Sequence, residues 1–238
     1  HVVYDRWGFN QRLAYGKGVS MLFAGPPGTG KTMAAQVVAN ELGIEMYKVD
    51  LSQVVSKYIG ETEKNLNQVF AEAKKSNVIL FFDETDAILG KRTEVKDAHD
   101  KNANLETSYL LQKMEEYDGI TVMTTNYKEN IDSAFFRRIS YVIHFTFPDA
   151  RARKEIWKGI FPPATPLRED VDLDYLAEQF EITGGSIKNI ALVASFMAAR
   201  EEKPVGMEQI VRAVKYEMAK QGKIMLREDY GEYGYLLK

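Results

Sequence analysis

Gly25-Pro26-Pro27-Gly28-Thr29-Gly30-Lys31-Thr32 satisfies G-x-x-x-x-G-K-[ST], the spacing of a loop that cradles nucleotide phosphates. Glycines at 25, 28 and 30 let the backbone curl until its N–H groups converge on phosphate oxygens. Lys31 then reaches the β and γ phosphates, and the Thr32 hydroxyl ligates magnesium. Ile79-Leu80-Phe81-Phe82-Asp83-Glu84 is an apolar run that ends in two acids. At such a strand end an Asp helps hold magnesium, usually through its water, and the next Glu polarises an attacking water. Asn126, closing the run Thr121 to Thr125, has a donor and an acceptor, enough to touch a γ-phosphate oxygen and that water. Arg137-Arg138 offers planar guanidinium groups suited to a phosphate that gathers charge in the transition state, and a neighbouring subunit can supply them. Taken singly, an acidic strand end, a turn Asn and a surface Arg pair are ordinarily solvated. Beside the phosphate loop, their joint reading is nucleoside triphosphate hydrolysis.

The elements that must position these residues follow from hydrophobic periodicity. Five short apolar runs read as strands: Val19 to Ala24, Glu45 to Asp50, Val78 to Asp83, Thr121 to Thr125 and Tyr141 to Thr146. Helical patterns over Lys31 to Leu42, Glu63 to Lys75 and Asn102 to Tyr117 alternate with them, which predicts a parallel sheet covered on both faces. The phosphate loop thus joins a strand to a helix whose positive N-terminal end favours an anion. After Phe147-Pro148-Asp149 only helical periodicity follows, at Ala150 to Ile160, Asp172 to Phe180, Ser186 to Arg200 and Met207 to Lys220. The expected organisation is an α/β nucleotide-binding domain over 1–148 and a helical domain over 149–238, hinged near Asp149. Arg227 to Lys238 reads as a Tyr- and Gly-containing tail that is either loose or docks on a partner.

Lys57-Tyr58-Ile59-Gly60-Glu61 lies between the second strand and the helix beginning near Glu63. If exposed, Tyr58 and Ile59 beside the flexible Gly60 form a small apolar grip for an unfolded polypeptide. If buried, they pack under the following helix.

Composition narrows the function classes. A chain of 238 residues with 45% apolar and 27% charged residues has the make-up of a globular protein. Its net charge of −3 lacks the basic footprint of a nucleic-acid binder. With no cysteine, disulfides and thiolate metal sites are excluded, which fits a reducing, cytoplasmic compartment. No apolar stretch approaches the roughly 20 residues that span a bilayer, so no membrane partner is expected. A start at His1 rather than Met suits a piece of a longer protein.

Together these residues resemble the AAA+ ATPase module, and within it the AAA clade of protein-remodelling ATPases. Gly25 to Thr32 matches the Walker A motif and Ile79 to Glu84 Walker B. Asn126 matches sensor 1, Arg137 and Arg138 the arginine fingers, and Lys57 to Glu61 the first pore loop. Three segments, SKYIGETEKNL from Ser56, GKRTEVKDAHDKNANLETSYLLQKMEEYDG from Gly90 and TGGSIKNIAL from Thr183, are similar to ATPases encoded with contractile injection systems, the phage-tail-like particles. The resemblance implies a P-loop NTPase fold, a five-stranded parallel sheet in the order 5-1-4-3-2 followed by an all-α lid. It also implies a hexameric ring binding ATP or ADP with Mg²⁺ at subunit boundaries. There Lys31, Thr32 and Asp83 act in cis, Arg137 or Arg138 acts in trans, and Gly184 and Gly185 pack near base and sugar. The implied partner is a protein substrate or particle component.

Three departures from the family pattern stand out. Gly185 and Ser186 occupy positions where many AAA+ proteins place a sensor 2 Arg, and Lys188 is a poor geometric substitute. Arg137-Arg138 runs directly into the last strand, which leaves open which Arg is the finger. Only residues before Val19 could close over adenine, so a targeting domain is expected to be missing. A nucleotide-gated assembly factor that docks without threading a chain is the alternative. A DNA-directed machine is disfavoured by charge and by the Tyr58 loop.

Overall fold

Strand β3 (Ile79–Phe82) consists of four apolar residues, and all four are fully buried. Alternate side chains of a strand point to opposite faces. Ile79 and Phe81 accordingly join a core with Phe23, Val122, Ala35 and Ala39, while Leu80 and Phe82 join a second core with Leu22, Met123, Leu66 and Phe70. Only a sheet covered on both sides gives a strand two apolar faces. Each fully buried Phe contributes about 1.5–3 kcal/mol relative to exposure.

The computed structural model describes residues 6–8, 17–54, 61–86, 98–126 and 133–237. The sheet contains β1 (Val19–Ala24), β2 (Met46–Val49), β3, β4 (Ile120–Thr125) and β5 (Tyr141–His144). Its order is β2-β3-β4-β1-β5 and every pairing is parallel, which is the arrangement implied by the family resemblance. Helices α1 (Lys31–Leu42), α2 (Leu51–Val54), α3 (Glu61–Ser76), α4 (Ala98–Glu116) and α5 (Ser133–Phe136) lie between the strands in sequence. Because β4 sits between β3 and β1, the carboxyl ends of β1, β4 and β3 fall side by side. Ligands of open parallel sheets bind at such ends.

Two compact units are distinguished, one of His1–Pro26 with Lys31–Phe145 and the other of Pro27–Gly30 with Thr146–Lys238. The second unit is built from α6 (Ala150–Ile160), α7 (Leu173–Gln179), α8 (Gly184–Arg200) and α9 (Met207–Lys220). Asp149, Asp172 and Thr183 cap the first three of these helices, each accepting a backbone N–H from the first turn. The Thr183 cap starts α8 at Gly184, two residues before the apolar periodicity predicts. Trp157, Leu176, Ile187, Ile190, Ile210 and Val214 form its core.

The tail is anchored on this core through Tyr230. Arg227–Leu236 is 3₁₀ helix, broken at Gly231, and Tyr230 is 1% exposed in the same core. The Tyr175 hydroxyl donates to Tyr230 O, and Gln179 Nε2 donates to Asp229 O at 2.9 Å.

Candidate nucleotide site

The phosphate loop leaves β1 at Gly25, where φ is +155° and the N–H donates to Thr125 O at 3.1 Å. A Cβ here would lie 2.0 Å from Phe145 O, so the backbone passes β5 only as glycine. Lys31 opens α1 and is 7% exposed. Its ammonium donates to Gly25 O at 2.7 Å, Pro26 O at 3.0 Å and Asn126 Oδ1 at 2.9 Å. Burial draws the Lys31 pKa below its ordinary value, against the upward pull of Asp86, Asp83 and Glu84. Thr32, next on the helix, is exposed, as are Pro26, Pro27 and Gly28, while Thr29 and Gly30 are half-buried.

Asp83 and Glu84 follow β3 directly. Both oxygens of Asp83 are engaged: Thr124 Oγ1 donates to Oδ1 at 2.7 Å and Lys48 Nζ to Oδ2 at 2.7 Å. Burial alone would raise the Asp83 carboxyl, but the Lys48 and Thr124 hydrogen bonds outweigh it and hold the group below its ordinary range. Donating that same bond to Asp83 raises the Lys48 pKa above its ordinary value. Glu84 is exposed and adopts φ 50°, the left-handed region that costs a non-glycine residue on the order of 1–3 kcal/mol. Its N–H donates to Thr124 Oγ1 at 3.0 Å.

Asn126 follows β4, its backbone N–H reaching Asp86 Oδ1 at 3.1 Å and Oδ2 at 3.3 Å. The Thr125 hydroxyl also donates to Asp86 Oδ1. The structure therefore gathers these residues into two hydrogen-bonded groups, Gly25, Lys31 and Asn126 with Thr125 and Asp86, and Asp83 and Glu84 with Thr124 and Lys48, which meet at the consecutive β4 residues Thr124 and Thr125. Lys48, Thr124 and Asp86, all parts of these groups, escape the motif reading. The available signals were slight: Asp86 stands two residues after Glu84, and two hydroxyl residues precede Asn126.

Arg137 and Arg138 follow α5, and both are exposed. Arg138 Nε lies 3.4 Å from Glu115 Oε1, and its carbonyl accepts from Ser20 Oγ at 3.2 Å. Arg137 has no ion pair among the described residues. Within the second unit, Gly185 N–H donates to Gly28 O at 2.9 Å. A Cβ on Gly185 would lie 3.1 Å from Gly28 Cα, so this glycine permits close approach, whereas one on Gly184 would sit at the ordinary contact distance of 3.7 Å from Gly28 O. Tyr58, Ile59 and Gly60 lie outside the described residues.

The donor types fit Mg²⁺, a hard cation that takes oxygen ligands: a hydroxyl at Thr32 and a carboxylate at Asp83. Among the described residues no group of three or more His, Cys, Asp or Glu could hold a metal. An ammonium, an amide and two acids gathered at adjacent strand ends can bind polyphosphate and direct a water at it.

A family model described as "ATPase family associated with various cellular activities (AAA)" matches residues 21–147. Protein SAV of Sulfolobus acidocaldarius is 33% identical over 92% of this chain and 29% of its own length. The cell division cycle protein 48 homolog of Archaeoglobus fulgidus is 34% identical over 86% of this chain and 28% of its own length. The proteasome-activating nucleotidase of Methanopyrus kandleri is 35% identical over 91% of this chain and 50% of its own. The chain thus spans half or less of the length of these relatives. Among the described residues, no helix is long and apolar enough to cross a membrane.

Proposed function

Because the chain belongs to the AAA family of ATPases, we propose that it binds ATP with Mg²⁺ along Gly25 to Thr32 and couples hydrolysis to remodelling of a protein partner. The observation that carries this reading is the pair of hydrogen-bonded groups at the carboxyl ends of β1, β4 and β3, where Lys31 meets Asn126 while Thr124 ties β4 to Asp83 and Glu84. Thr32 and Asp83 would hold Mg²⁺, whose chemistry there would be to supply positive charge against the triphosphate. Glu84 orients a water and holds its proton as the water oxygen bonds to the γ-phosphorus. The bond from that phosphorus to the β,γ-bridging oxygen breaks, and ADP and phosphate leave. Lys31 and the Asn126 amide place positive charge and a donor on the transferring phosphoryl. Arg137 or Arg138 of a neighbouring copy completes the site.

A shared site needs a closed ring of copies, and a hexamer is the proposed working form. The large and helical domains, divided at 148 and 149, move about Asp149 and carry the Tyr58, Ile59 and Gly60 loop against polypeptide. Gly184 and Gly185 line the base and sugar. A relative named for activating a proteasome favours a protein partner. The narrower reading, a cytoplasmic ATPase encoded with a contractile injection system and acting on a component of that phage-tail-like particle, rests on the segments beginning at Ser56, Gly90 and Thr183.

Glu84→Gln tests the reaction. This variant is expected to bind ATP as the parent chain does and to hydrolyse it at least about a hundredfold more slowly, the scale of a lost general base. Turnover at the parent rate would overturn the assignment. Tyr58→Ala separates the two coupling modes: loss of remodelling with ATPase and docking intact supports a gripping loop, whereas unchanged remodelling favours an assembly factor that only docks.

A further inference from the structure

Thr124 is 1% exposed on β4, yet its hydroxyl is spent entirely on the two acids across the strand pair. It donates to Asp83 Oδ1 at 2.7 Å and accepts the Glu84 N–H at 3.0 Å. Its carbonyl accepts from both Thr85 N at 2.9 Å and Thr85 Oγ1 at 2.8 Å. One residue of β4 therefore receives or gives a hydrogen bond at each of three consecutive positions, 83 to 85. Glu84 needs such an anchor, because its φ of 50° is a conformation that a glutamate does not adopt unaided.

We propose that Thr124 is a positioning residue for the hydrolysis proposed above, on which this inference rests: its hydroxyl fixes the Asp83 carboxylate and aims Glu84. The carbonyl bonds to Thr85 survive any substitution at 124, since they belong to the backbone. Only the hydroxyl bridges the two acids. Without it, the Asp83 carboxylate keeps the Lys48 ammonium as a partner and swings toward β2, while the Glu84 N–H loses its acceptor. Serine preserves both bonds; valine fills nearly the same volume and preserves neither.

The parent chain, Thr124→Val and Thr124→Ser are compared for ATP hydrolysis, affinity for a fluorescent ATP analogue, the Mg²⁺ concentration that half-saturates that binding, and melting temperature. In Thr124→Val, kcat is expected to fall at least about tenfold with affinity at saturating Mg²⁺ changed less than about threefold, and the Mg²⁺ requirement to rise about fivefold. Thr124→Ser stays within about threefold in hydrolysis, affinity and Mg²⁺ requirement. Unchanged kcat and Mg²⁺ requirement in Thr124→Val would overturn the inference, as would a Thr124→Ser variant equally impaired. If Thr124→Val melts below the assay temperature, Thr124→Ala against Thr124→Ser makes the same comparison. A parent chain that binds but never hydrolyses ATP sinks the ATPase mechanism instead, and the Mg²⁺ requirement then decides the role of Thr124 alone.

Discussion

Lys31 Nζ lies 2.9 Å from Asn126 Oδ1, so the ammonium of the phosphate loop and the amide closing β4 form one unit. An ammonium has three protons, and the carbonyls of Gly25 and Pro26 take the other two. With Oδ1 turned toward Lys31, the Asn126 NH₂ group is left to donate elsewhere, as an anionic oxygen requires.

Two substitutions at Asn126 separate its charge from its shape. Asn126→Ala is expected to leave ATP affinity within about threefold and to lower kcat about tenfold or more, because a donor to the transferring phosphoryl is lost. Asn126→Asp sets a carboxylate against Lys31, neutralising the ammonium and repelling phosphate, and should weaken ATP binding about tenfold or more. Equilibrium binding beside steady-state kinetics reads both; equal affinities for the two variants would deny the contact a part in binding.

The arginines differ in what they already hold. Arg138 faces Glu115 at 3.4 Å, a half-exposed pair that contributes about 0–1 kcal/mol. Arg137 is exposed with no ion pair among the described residues, and it is the better candidate to reach another copy. Arg137→Ala should cut kcat about a hundredfold or more with ATP binding intact, in keeping with arginine fingers. Arg138→Ala should cost less than about fivefold, an exposed charge pair being the main loss. Mixing Arg137→Ala with Lys31→Ala copies should restore some turnover at mixed boundaries; no recovery in any ratio argues against action in trans.

Asp86 holds β4 to the loop after β3 through the Thr125 hydroxyl and the Asn126 N–H. Thr125 is fully buried, so removal of this carboxylate takes an acceptor from a site that water does not reach. Asp86→Ala is expected to destabilise the chain by about 1–3 kcal/mol, and Asp86→Asn, which retains one acceptor oxygen, by less. Thermal or urea unfolding of the three proteins gives the order, and an Asn variant as unstable as the Ala variant would point to charge rather than hydrogen bonding.

How far the sequence reveals this site depends on whether a residue's partner is near it in the chain. The phosphate loop, the acids after β3 and Asn126 are legible because each sits at an element end marked by apolar runs and turn residues. Lys48, Thr124 and Asp86 are not, because their partners are set by strand register: Asp83 is 41 residues from Thr124 and 35 from Lys48. On an edge strand, Lys48 reads as an ordinary solvated residue. The 3₁₀ tail misleads for another reason: its period is not 3.6 and Gly231 breaks it, so the helix pattern that exposes α6 and α9 is missing. Its anchor, buried Tyr230, is recognisable only from the core that receives it.

Tyr117 links α4 to β3, donating its hydroxyl to Val78 O at 2.6 Å while its ring meets Phe70 edge-on at 5.8 Å. Burial raises its pKa above the ordinary 10.0. The folded chain therefore binds the phenolic proton more tightly than the unfolded chain does. The resulting stabilisation is complete below about pH 10 and disappears as pH rises through the folded value. Tyr117→Phe keeps the ring packing and removes both the hydrogen bond and the proton. At neutral pH it should cost about 1 kcal/mol, the net worth of one hydrogen bond. Between about pH 9 and 11 the parent chain should lose stability faster than Tyr117→Phe, so the two unfolding midpoints converge. Other tyrosines and the lysines titrate in the same range, but they are common to both proteins and cancel in the difference. A gap that stays constant, or widens, as pH rises would show that the buried phenol is not the group responsible.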